Sequence, residues 1–187
     1  MKRVTVFLIM LSLCVLSIWS QETKQTQTPS TQFEQVLLQK GSLIVKEFID
    51  YNKVGLISGQ IAVLSDVNKN TKIYALRLTH LYYNSKYDSG ESVGVLDAQE
   101  INSAIQTLDF IRKQVSILTD SSPYTEVVYT SNSGIVIGMY KSGKDSKIFI
   151  KFDYKDTAFI DMKQFDELYS FFTGAKAKIV ELGGVIK

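Results

Sequence analysis

A helix start that occurs twice constrains this chain more than any other feature. Asp97-Ala98-Gln99-Glu100 and Asp161-Met162-Lys163-Gln164 each set a carboxylate cap three residues ahead of a Glu or Gln, the spacing of a capping box in the wider sense. Each is bracketed by an apolar pair, Leu96 with Ile101 and Ile160 with Phe165, placed as a hydrophobic staple. Beyond the first start, Ile101, Ala104, Ile105, Leu108, Ile111 and Val115 share one helical face. Beyond the second, Phe165, Leu168, Phe172, Ala175 and Ile179 do the same. The spacing predicts a helix over 97–118 and another from 161 onward.

What precedes each helix is β-rich. Before the first lie runs at 43–49, 57–64, 73–83 and 93–96, with an extra leading strand expected at 33–38. Before the second lie runs at 127–130, 135–140, 147–154 and 158–160. Gly, Asn and Ser clusters separate them, the punctuation of hairpins. Laid without gaps, residues 61–78 match 135–152 at an offset of 74, while the helix starts match at an offset of 64. The difference is one insertion in the first unit, at about residues 82–92. The pattern reads as an internal duplication. The expected fold class is α+β: two tandem β-β-β-β-α units, at 33–118 and 124–187, with antiparallel sheets covered by helices.

At the level of topology, residues 43–179 resemble the tandem β4-α arrangement of Whirly-type and Pur-alpha-type proteins. That resemblance implies single-stranded nucleic-acid binding. It is carried by element order alone, and a shared fold does not imply a shared function.

The ends of the chain and its charge point elsewhere. Lys2-Arg3, an apolar run over 4–19 and Ser20 before Gln21 have the layout of a cleaved secretory signal peptide, at 1–20. The run is short of the roughly 20 residues that span a bilayer. An uncleaved N-terminal anchor is the other reading of it. Residues 21–32 (QETKQTQTPSTQ) have no aliphatic side chain and read as a flexible tether. Cleavage after Ser20 removes Lys2, Arg3, the only Cys and the only Trp, leaving 19 basic against 19 acidic residues. Disulfides, thiolate chemistry and cysteine-bound metal are thereby excluded from the mature chain. Zero net charge also argues against a general attraction to nucleic acid or to an anionic membrane. Contact with a membrane is expected only through the export signal, and the location expected is secreted or periplasmic.

Chemistry-bearing residues are sparse. His80 is the only histidine; it reads as a half-exposed strand residue on the polar face with Arg77 and Thr79. Asp66-Val67-Asn68-Lys69-Asn70 opens like a calcium loop, but Thr71 and Arg77 occupy its obligatory Gly and Glu places. It reads as a polar hairpin turn. Lysines 141, 144, 147, 151 and 155, interleaved with Tyr140, Phe149, Phe152 and Tyr154, are the best case for a nucleic-acid face. Asp145, Asp153 and Asp156 interrupt them, which favours a solvated edge. A hydrolase using paired carboxylates could draw on Asp50, Asp88, Glu91, Asp153 or Asp156, yet no pair stands out.

The insertion remains. Its tyrosines, mixed with Ser, Asn and Gly, have the composition of a binding loop. Tyr82, Tyr83, Tyr87, Asp88 and Glu91 are the candidate ligand-binding residues. The expected function is that of an exported, non-catalytic binding or interaction module. Its partner is a protein or a small-molecule or carbohydrate ligand, and no catalytic residue, metal or cofactor is called for.

Overall fold

The computed structural model describes residues 31–85, 88–153 and 156–186. The segment 1–20 expected to be a signal peptide, residues 21–30 of the expected tether, and Tyr87 lie outside them. Among the described residues eight strands form two separate antiparallel meanders, each in sequence order. Sheet 1 is β1 (Ile44–Val54), β2 (Ile57–Asp66), β3 (Thr71–Ser85) and β4 (Asp88–Asp97). Sheet 2 is β5 (Thr125–Thr130), β6 (Val136–Ser142), β7 (Asp145–Lys151) and β8 (Thr157–Asp161). A short helix α1 (Gln32–Leu37) leads; α2 (Ala98–Ile117) follows sheet 1, and α3 (Phe165–Glu181) follows sheet 2. The chain is an α+β protein of two β-β-β-β-α units.

Each long helix reaches the other unit's sheet. α2 touches β3 and β4 and runs on against β5 and β6, while α3 lies against β1, β2 and β3, and the two helices pack on each other. Particular contacts fix the crossing. The ring of Phe171 in α3 sits over Gly59 in β2, where an added Cβ would lie 2.5 Å from its Cζ. Tyr51 is the extra residue of a bulge in β1. The bulge re-aims its ring to meet Phe171 edge-on, and its hydroxyl donates to the Phe171 carbonyl at 3.2 Å. Tyr74 Oη donates to the Leu182 carbonyl at 2.7 Å. In the other direction, Glu100 at the start of α2 accepts from Asn132 N at 2.6 Å and from Tyr129 Oη at 3.3 Å. Burial, the Glu100 charge and this hydrogen bond push the Tyr129 phenol up to about 12. One apolar core therefore runs through both sheets and both long helices, from Ile61, Leu76 and Leu96 to Ile137, Ile148 and Phe172.

Three expectations need correction. The leading segment is helix, not strand. Thr31 Oγ1 accepts from Glu34 N at 3.0 Å and Glu34 Oε2 accepts from Thr31 N at 3.3 Å, a closed capping box that takes Thr31 and Gln32 out of the tether. Phe33 and Val36, three apart on one helical face, then pack with Ala62, Leu64 and Ala75 on the outer face of sheet 1. The second capping box is the next correction. Asp161 Oδ1 accepts from Lys163 N at 2.9 Å and starts a 3-10 turn (Met162–Gln164), with the α-helix beginning only at Phe165. Last, the gapless alignment slips. The β2–β3 hairpin closes at Asp66 opposite Thr71 and the β6–β7 hairpin at Ser142 opposite Asp145, so the first turn is two residues longer. A slip of two leaves every side chain on its expected face.

Candidate functional site

The insertion in the first unit is a prolongation of the β3–β4 hairpin. β3 has 15 residues and β4 has 10, against 7 in β7 and 5 in β8. Tyr82 faces Gly90 across the ladder, and Tyr83 faces Ser89. With no side chain, Gly90 leaves room for the Tyr82 phenol, whose hydroxyl would lie 2.6 Å from an added Cβ. Tyr83 is 74% exposed.

These two tyrosines border a cleft of about 600 Å³ where β3 and the β1–β2 turn meet β8 of the other sheet; Leu56, Ile57, Thr157 and Gln164 are among its walls. Its floor is a pair that joins the two units. His80 Nδ1 lies 2.9 and 3.0 Å from the two carboxylate oxygens of Asp156, and the residues are 6% and 4% exposed. The imidazole also stacks on Phe152 of the second unit, ring centres 5.7 Å apart. Asp156 is itself held, its N–H donating to Asp153 Oδ1 at 2.8 Å and its carbonyl accepting from Phe152 N at 3.0 Å.

His80 is thus buried and paired, not half exposed on the polar face. The signal that locates it is strand parity. Leu76, Leu78, His80 and Tyr82 alternate onto the core side, and Arg77, Thr79 and Leu81 onto the other. Asp156, read as an ordinary turn acid, has no comparable mark in the sequence; only the fold brings it to His80.

The predicted site residues divide. Tyr82 and Tyr83 border the cleft. Glu91 lies on the outer face of sheet 1, in a shallower hollow with Asp50, Gln60 and Thr79, where it pairs with Arg77 at 3.6 Å. Asp50 there accepts from Gln60 Nε2 at 2.7 Å. Asp88 opens β4 opposite Ser85. The Asp66 turn behaves as a polar hairpin, with Asp66 Oδ1 accepting from Asn68 N at 3.0 Å and Lys69 N at 3.2 Å. Among the described residues no three His, Cys, Asp or Glu gather as a metal site, and no helix is long and apolar enough to cross a membrane.

Comparison with protein-family models, with curated proteins and with solved structures gives no match for this chain.

Proposed function

We propose that this protein is an exported, non-catalytic binding module whose ligand enters the cleft bordered by the β3–β4 hairpin. The observation that carries the reading is that Tyr82 and Tyr83 of the prolonged hairpin border the same cleft as the buried His80–Asp156 pair. A prolonged hairpin is not needed to build the unit, because the second unit forms the same sheet without one. The cleft volume falls within the roughly 300–1,000 Å³ usual for small-molecule sites. Its lining is divided about evenly between polar and apolar surface, which suits a small ligand, or a partner's side chain, that is itself part apolar and part polar.

The test is a thermal-shift screen of a small-molecule library against the mature chain and Tyr83→Ser. An exposed surface side chain contributes within about 0.5 kcal/mol, so the unliganded melting temperature of the variant should be unchanged while the shifts given by cleft ligands disappear. A large drop in the unliganded melt, or hits that ignore the substitution, overturns the assignment. The export part of the proposal predicts that mass spectrometry of the native protein finds Gln21 at its N-terminus.

A hydrolytic reading has one observation in its favour: a carboxylate orienting an imidazole is half of an acid–base apparatus. The pair joins two sheets and stacks on a core ring, so we give it a structural role.

A further inference from the structure

The two sheets differ in what lies on their outer faces. On sheet 1, α1 covers Ala62, Leu64 and Ala75. No described element lies over the outer face of sheet 2, yet aromatic rings gather there. Tyr124 and Tyr140 stack with ring centres 6.4 Å apart and planes 21° from parallel; Tyr140 meets Phe159 edge-on at 6.3 Å. Tyr124 is 62% and Phe159 60% exposed. Phe149 folds down over Gly138, where an added Cβ would lie 2.7 Å from its Cζ. That leaves a shallow trough of about 360 Å³ floored by Phe149 and edged by Tyr124, Tyr140, Phe159, Glu126 and Lys151. Contiguous exposed aromatic surface of this kind marks a recognition surface.

From this face we infer a second binding site, which takes a neutral oligosaccharide. Two features select that chemistry. The first is ring preorganisation: Tyr124 Oη donates to the Glu126 carboxylate, and Tyr140 Oη donates to Asp145 Oδ2 at 2.9 Å. Rings pinned in advance lose little freedom on binding, and they offer flat apolar area to the C–H face of a sugar. The second is the charge around them. Glu126, Tyr140, Lys147 and Asp161 stand opposite one another across the four strands. With Asp145 and Lys151 the face thus holds three carboxylates and two ammonium groups. A polyphosphate strand needs uncompensated cations and here meets a slight excess of negative charge. Sugar hydroxyls both donate and accept, and find acceptors and donors alternating around the rings.

The site is separate from the cleft, although Thr157 and Phe159 border both. Its test therefore uses Tyr124, which touches only this face. The full mature chain is applied to an array of neutral oligosaccharides, and the tightest binder is titrated against Tyr124→Ala, Lys151→Ala and the control Phe110→Ala, an exposed aromatic of α2. Tyr124→Ala should weaken binding roughly tenfold or more, as for a central aromatic anchor. Lys151→Ala should weaken it less, and the control should bind as the parent does. The inference is overturned if no neutral oligosaccharide on the array binds, or if binding survives both face substitutions. It is overturned equally if Tyr83→Ser, not Tyr124→Ala, abolishes it, or if an oligothymidylate competes for the Tyr124-dependent site.

Discussion

At the scale of single residues, the His80–Asp156 pair is a buried polar contact that ties the two units together. Asp156→Ala leaves a buried imidazole N–H without its acceptor, at a cost of about 1–3 kcal/mol. His80→Ala strands the carboxylate and also removes the stack on Phe152. Because both substitutions break one interaction, the double variant should cost less than the sum, with a coupling of about 0.5–3 kcal/mol. Urea denaturation of the four proteins measures it; additivity would mean that the two side chains do not work together. Half of this pair is legible in the sequence. Counting parity from Leu76 and Leu78 puts His80 on the core side, whereas grouping it with Arg77 and Thr79 by polarity puts it on the wrong one. Asp156 is not legible, because its partner lies 76 positions away and nothing local distinguishes it from Asp153.

At the scale of elements, the two helix starts look alike in sequence and act differently. Glu100 Oε2 accepts from Asp97 N at 3.0 Å, so the first box closes around α2. The Asp97 carboxylate also accepts from Gln32 N at 2.6 Å and Phe33 N at 3.1 Å, and so ties down the first turn of α1. Asp161 serves only a 3-10 turn. Loss of an ordinary cap costs about 0.5–2 kcal/mol, which is the expectation for Asp161→Ala. Asp97→Ala should exceed it, because two helix ends lose their acceptor at once. In hydrogen exchange, the amides of 32–37 should lose protection in Asp97→Ala and keep it in Asp161→Ala. Equal costs and unchanged exchange would show that α1 is held by its own box and the packing of Phe33 and Val36, without Asp97. Existence and order of the strands are readable from period-2 patterning. The six-residue α1 is not, since Phe33, Val36 and Leu37 fall at helical spacing but span little more than one turn, too short a run to establish a period. Its clearest mark, the Thr31–Glu34 box, straddles the edge of a stretch whose composition suggests disorder.

At the scale of the molecule, the reach of each long helix to the other unit's sheet decides how the chain folds. The duplicated pattern invites a picture of two stand-alone units, each covering its sheet with its own helix. The apolar faces of α2 and α3 fit that picture equally well, because a hydrophobic stripe specifies that it is buried, not against which sheet. In the structure α3 lies against sheet 1, and α2 lies against β5 and β6 of sheet 2 while keeping contact with β3 and β4 of its own sheet. A fragment of residues 31–120 keeps sheet 1 but leaves Ile61, Leu76 and Leu78 without Phe171 and Phe172, which share their core, and its α2 has no β5 or β6 to lie on. A fragment of 121–187 has the complementary defect. An antiparallel meander with one bare apolar face is poorly stable alone. Each fragment by itself should therefore show no cooperative thermal transition by circular dichroism. Equimolar mixing should restore the native spectrum, because every missing surface is present on the other fragment. The His80–Asp156 pair then gives an internal check, since Asp156→Ala in the second fragment should weaken reassembly more than Asp161→Ala, whose cap is local to that fragment. Two fragments that each melt cooperatively at the temperature of the intact chain would return the molecule to two independent repeats.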